Sequence, residues 1–179
     1  MGNPYLFIPI GMVLAGVIML IVVGVKSGRT KKTATALTDG LIRQLLPDVP
    51  RTSLKTLNTT AVASRRTNDP FQWLVAYTAD VIYLLPAKYD PTNKTMAKQP
   101  DTDVRTFPIA LLERVAADVK ARRVTLTMDD EETVLSFQPK DMYGLDQATQ
   151  VTNFFKYMTY VQEGGYQKDQ ALDEGEDGE

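Results

Sequence analysis

RRVTLTMDDEETVLSFQ, residues 122–138, alternates apolar and polar side chains on both sides of a run of four acids. Val124, Leu126 and Met128 share one side of an extended chain, Thr125 and Thr127 take the other, and 133–137 repeats the pattern. Successive side chains of a strand point to opposite faces, so this stretch reads as a hairpin of two strands with one face in a core. The acids 129–132 fall at its tip.

Working outward from this hairpin, the segments 59–64, 71–79 and 81–85 are rich in Val, Tyr, Trp and Leu, as strands prefer, and 107–119 comes just before the hairpin. Asn68-Asp69-Pro70 makes a turn between the first two. The polar stretch 88–106, with Pro91, Asn93 and Pro100, reads as an exposed loop between two strands. On the other side, Pro139 and Gly144 close the sheet. The period then becomes helical over 145–162, where Leu145, Ala148, Val151, Phe154, Phe155, Met158 and Val161 recur at three and four, with Asp146 at the positive end. Gly164-Gly165 stops that helix, and the acidic remainder 164–179 has the composition of a disordered tail.

This order of six or seven short strands, a long loop among them and one final amphipathic helix resembles the pleckstrin-homology (PH) superfold, in particular bacterial PH-like and GRAM-like domains. LVAYTADVIYLLP (74–86) looks like the strand pair that opens many such domains; RTFPIALLERVAADV (105–119) and RRVTLTMDDEETVLSFQ look like its later strands. The resemblance covers about 57–163, within the usual error of a few residues at each boundary. It implies a bent antiparallel β-sandwich or barrel capped by the C-terminal helix, with Phe154 or Phe155 filling the space that eukaryotic members give to a tryptophan. It also implies partner binding on surfaces: the sheet edge, the 88–106 loop or the acidic tail.

Ahead of the domain, YLFIPIGMVLAGVIMLIVVGV (5–25) is an uncharged run that as a helix would span roughly 31 Å, the thickness of a bilayer's hydrocarbon. It lacks the basic leader and small-residue cleavage site of a signal peptide. Lys26, Arg29, Lys31 and Lys32 come immediately after it, which orients the N-terminus outside and the domain on the cytoplasmic side. Gly11 and Ala15, four apart, are candidates for close packing against another membrane helix. A short amphipathic helix over 35–46 carries Ala36, Leu37, Leu41, Leu45 and Leu46, and Pro47 and Pro50 end it. Its one basic residue, Arg43, favours packing on the domain over lying along the bilayer.

The chain contains neither cysteine nor histidine. That removes disulfides, thiolate catalysis, the common zinc sites and the histidine general base, so an enzyme is not expected, nor a cofactor or metal. Acids 129–132 lack the spacing of a calcium loop. The net charge of −2 hides basic residues gathered after the apolar run and acids gathered at the end, with balance between them. A balanced domain gives no footprint for nucleic acid. Two basic pairs, Arg65-Arg66 and Arg122-Arg123, with Lys120 close to the second, are candidate contacts for anionic lipid headgroups. Triplets at Asn58 and Asn93 fit the glycosylation pattern by chance alone.

The expectation is therefore one N-terminal transmembrane helix (1–25), a basic linker and juxtamembrane helix (26–56), and a mainly β, α+β PH-like domain (57–163) before the acidic tail. Its role is that of a membrane-anchored scaffold for protein partners, or alternatively a sensor of anionic lipid headgroups.

Overall fold

A computed structural model describes residues 31–64, 68–69 and 73–169. The candidate span 5–25 with Gly11 and Ala15, the pair Arg65-Arg66, and 170–179 lie outside the described residues. Among the described residues no helix is long and apolar enough to cross a membrane. The chain divides into two compact units, 1–37 and 38–179. In the first, residues 31–37 are helical, and the Thr35 hydroxyl donates to the Lys31 carbonyl at 3.0 Å.

The second unit continues with helical residues 38–45 (α1) and a 3-10 turn, Arg51–Ser53. Ten strands come next among the described residues: β1 (Lys55–Ser64), β2 (Asn68–Asp69), β3 (Leu74–Tyr77), β4 (Val81–Leu85), β5 (Ala87–Asp90), β6 (Thr95–Lys98), β7 (Arg105–Pro108), β8 (Arg114–Asp118), β9 (Arg123–Met128) and β10 (Glu131–Phe137). Helix α2 (Ala148–Gln162) comes last, with a helical turn over 165–169 where the sequence reading places the start of the tail. The main sheet runs β7-β4-β3-β1-β10-β9-β8, with β2 beside β1, and β5 pairs with β6 apart from it. All the pairings are antiparallel, as Leu57↔Val75, Val62↔Leu135 and Val134↔Thr125 illustrate.

Two features force this sheet to bend. Its edge strands, β7 and β8, are consecutive in the chain, and the link from Pro108 to Arg114 reaches at most about 20 Å. Seven strands laid flat would separate those edges by roughly 29 Å. Secondly, β1 belongs to both halves: 55–58 pairs with β3 and 59–64 with β10, with a register break between Thr59 and Ala61. At that break the Thr59 N–H donates to the Trp73 carbonyl at 2.9 Å, and the Trp73 N–H donates to the Thr59 hydroxyl at 3.2 Å. The result is a mainly β fold, a bent antiparallel sheet closed by a C-terminal helix.

The inner face packs Leu57, Val75, Ile82, Leu84, Val124, Leu126, Leu135 and Phe137 against Val151, Phe154, Phe155, Met158 and Val161 of α2. A smaller cluster forms on the outer face, where Leu41, Ile42 and Leu46 cover Leu74, Ala76 and Leu85. This explains why every residue of β3 is buried. The packing bears out the choice drawn from Arg43, for these residues of α1 lie on the sheet. An ion pair from Arg51 Nε to Asp39 at 2.6 Å ties α1 to the turn below it.

The stretch 88–106 corrects the sequence reading in part, because 87–98 folds as the β5–β6 hairpin, while 99–104 links it to β7 outside any strand. Asp90 Oδ1 accepts the N–H groups of Thr92 and Asn93, and Tyr89 meets Tyr143 edge-on at 4.6 Å. Trp73 is fully buried just ahead of β3, with the Arg105 guanidinium 5.3 Å from its ring centre. The acidic tip of the 122–138 hairpin is a two-residue turn: Asp129 and Asp130 both have positive φ, 53° and 60°. Such turns favour glycine at the second position, so Asp130→Gly is expected to raise stability by roughly 0.5–1 kcal/mol. A higher urea midpoint at unchanged slope is the readout.

Candidate binding groove

Helix α2 buries one stripe in the core and leaves a second stripe partly open. Ala148, Val151, Thr152, Phe155, Lys156, Thr159, Tyr160 and Glu163 recur at helical spacing along a groove of about 530 Å³. Its other bank is Val119 and Arg122, from the turn joining β8 to β9, and Pro139. Val151 and Phe155 make an apolar floor, while Val119, 62% exposed, stands at the rim. The β8–β9 turn is held in place: the Asp118 carboxylate accepts the Ala121 N–H at 2.8 Å, and Arg122 takes the left-handed conformation at φ 53°. Beside it, Gln162 Oε1 accepts the Ala117 N–H at 2.9 Å, so the edge strand β8 is capped there by the protein's own side chain. Charge in the groove consists of Arg122, Lys156 and Glu163.

Only part of the sequence-level site enters this groove. Arg122 lines it, whereas Arg123 opens β9 and is exposed beside buried Val124, which puts its side chain on the outer face of the sheet. Arg65 and Arg66 lie outside the described residues. Lys156, Glu163 and Val119 also line the groove and are not among the site residues read from the sequence. The available signal was the second helical stripe of α2, in which Lys156 is a cation one turn from Thr152 and Thr159. Glu131 and Glu132 lie on β10 rather than in the turn and point to opposite faces. Among the described residues no group of three or more acids is placed to hold a metal ion. Asn58 of the first glycosylation triplet is buried, and Asn93 of the second is exposed with its amide donating to Asp90 at 2.8 Å.

A second cleft lies at the other side of α2, lined by Ser53, Lys55, Tyr77, Thr78, Ala79, Asp80 and Tyr157. Tyr157 donates its hydroxyl to the Ala79 carbonyl at 2.5 Å and stacks on Tyr77 with ring centres 5.6 Å apart. Burial, with the nearby Asp80 charge behind it, raises the Tyr157 pKa far above the ordinary phenol value, and burial raises that of Tyr77 as well. These phenols stay protonated at neutral pH and support the fold as hydrogen-bond donor and packing surface, which is no arrangement for proton transfer. The native state holds its phenolic protons more tightly than the unfolded chain, so this stabilisation is complete below pH 10 and is lost as pH rises above it. Tyr157→Phe is expected to make that alkaline decline shallower, read by denaturant unfolding at a series of pH values between 9 and 11. An unchanged decline would show that Tyr157 does not contribute.

The fold and groove together define a class: a mainly β domain with a C-terminal helix and an open, apolar-floored surface site. Neither a family model nor a curated protein matches the sequence. Among solved structures, two of Vav1 align over 75% and 74% of this chain, with TM-scores of 0.41 and 0.40 and 8% identity in each case. One is described as Vav1 inhibited by an allosteric inhibitor, the other by the structural role of the PH and C1 domains of that exchange factor. The chain spans 33% of the length of each Vav1 chain. The N-terminal PH domain of human ARAP2 aligns over 66% of this chain and 86% of its own, with TM-score 0.35 and 6% identity.

Proposed function

We propose that the chain is a non-catalytic binding module of PH-like architecture, anchored in a membrane by 5–25 with its domain on the cytoplasmic side, and that it scaffolds other proteins of a membrane assembly. The anchor rests on the uncharged run and on the basic residues directly after it. The architecture rests on strand order: seven strands in a bent sheet, the first paired with the last, and one helix after them. The observation that carries the binding role is the groove beside α2, an apolar floor with a few polar groups converging at its rim. The chain has no histidine or cysteine to equip it for common catalysis. Tethering would make weak contacts count, because a partner in the same membrane meets the groove at high effective concentration.

The test is co-purification of the whole chain in mild detergent, set beside the chain lacking 1–25 and beside Thr152→Trp. Thr152 is exposed on the groove wall, so the larger ring fills the groove without entering the core. Partners held by the whole chain, lost with Thr152→Trp and reduced without 1–25 are the expected result. Partners indifferent to Thr152→Trp would remove the groove from the reading.

The alternative, sensing of anionic headgroups through Arg65, Arg66, Arg122 and Arg123, gains from one feature. Lys120, Arg122 and Arg123 flank Val119, the exposed apolar residue at the turn. Residues 33–179 would then bind phosphatidylserine vesicles and release them as salt rises. Equal retention on neutral vesicles would exclude it.

A further inference from the structure

Each bank of the groove carries one cation, Arg122 on the turn and Lys156 on the helix, with the acid Glu163 at the C-terminal end of α2. Among the described residues, neither Arg122 nor Lys156 forms an ion pair with another described residue, unlike Arg51 with Asp39 or Lys98 with Asp103. The chain's exit from α2 touches both sides of the helix: the Tyr166 hydroxyl donates to Asp80 of the second cleft at 3.5 Å, and Asp169 comes back to the groove side. Gly164 reverses direction with φ +77°, and Gly165 then passes so close to Tyr160 that a methyl group there would overlap the ring. The Tyr160 hydroxyl donates to the Asp169 carboxylate. Since Tyr160 lines the groove, residue 169 sits at one end of it. The chain runs on from there as QALDEGEDGE (170–179): an apolar pair, Ala171-Leu172, and then Asp173, Glu174, Glu176, Asp177 and Glu179 with no basic residue among them.

We propose that residues 170–179 are the groove's own occupant, with Leu172 on the floor made by Val151 and Phe155 and the later carboxylates against Lys156 and Arg122. Ten extended residues reach about 33 Å, and the helix from Tyr160 back to Thr152 is about 12 Å long, so the tail spans the groove with chain to spare. Each exposed ion pair contributes little, but the tail is covalently attached and its effective concentration at the groove is of order millimolar. A partner would then have to displace the tail, and removing the tail's charge contact would open the groove. This regulatory sense rests on the binding role proposed above; the contact itself does not, and the experiment reads the contact alone.

Because the chain has no cysteine, Gly178→Cys introduces a single site for a nitroxide spin label. In the whole labelled chain, the amide signals of Val119, Arg122, Thr152 and Lys156 are expected to lose most of their intensity, while those of Tyr89 and Met96 on the distant hairpin are kept. The loss should vanish in 1 M salt, where the screening length is about 3 Å, and with the double charge reversal R122E and K156E. Four results would overturn the proposal. These are equal losses at groove and hairpin, a loss indifferent to the charge reversal, a loss only in unlabelled copies mixed with labelled ones (a second copy as occupant), or a loss appearing only with anionic vesicles (a membrane as occupant).

Discussion

Phe154→Ala is expected to lower the unfolding free energy by about 4 kcal/mol, the middle of the range for deleting a buried aromatic ring. Phe154 has no exposed surface and stands where the two halves of the sheet meet. It contacts Tyr77 of β3 edge-on at 5.0 Å and Phe137 of β10 at 5.4 Å with the rings tilted by 57°. Truncation therefore removes more than transfer energy, since it leaves a cavity between the elements that this ring joins. A domain of this size is stable by only about 5–15 kcal/mol, so the variant should show a much lower urea midpoint with little change in slope. Phe154→Leu, which keeps most of the volume and loses the aromatic edge contacts, should cost about 1–2 kcal/mol. A loss below 1 kcal/mol for the alanine variant would mean that α2 does not hold the two halves together.

The parts of this fold that were legible in the sequence are those whose evidence is local. The 122–138 hairpin is dictated by alternation alone, and it appears as β9 and β10 with the turn placed at Asp129-Asp130. Helix α2 is marked by apolar residues three and four apart, although it starts at Ala148 instead of 145. The Asp141 carboxylate accepts the N–H groups of Tyr143 and Leu145, and Asp146 accepts that of Ala148, which keeps the chain in turns up to that point. The features the sequence hid depend on distant partners. The β5–β6 hairpin is largely exposed and so has little apolar alternation to betray it; its order comes from Tyr89 meeting Tyr143, far along the chain. The double burial of β3 comes from α1 lying on its outer face, which an apolar run such as LVAY cannot specify. The groove is hidden for the same reason. Arg122 and Lys156 are ordinary cations until α2 packs beside β8 and brings them to opposite banks.

Gln147 is the strongest case of a residue whose weight appears only in three dimensions, and Gln147→Leu is expected to destabilise the fold by roughly 3–5 kcal/mol. It lies at the N-terminal cap of α2 and is almost wholly buried. Its Oε1 accepts the Asn58 N–H at 2.8 Å, and its Nε2 donates to the carbonyls of Asn58 at 3.0 Å and Gln138 at 2.9 Å. One side chain thus satisfies backbone groups on β1 and after β10, at the seam where the two strands meet the helix. Leucine matches the volume and removes every one of these partners, leaving the N–H and carbonyl of Asn58 buried without them and the part-buried carbonyls of Gln138 and Lys140 without this donor. Gln147→Glu separates this account from simple packing. Its carboxylate would keep the bond from Asn58 but face two carbonyl oxygens, so its pKa should rise above the usual glutamate value of about 4.3. The protonated acid can donate one bond, and the native state would hold that proton more tightly than the unfolded chain. Stability of the glutamate variant should therefore fall as pH rises through and above that value, relative to the parent chain, and recover on acidification. If the pH profiles of the glutamate variant and the parent run parallel, the hydrogen bonds of Gln147 do not hold this seam.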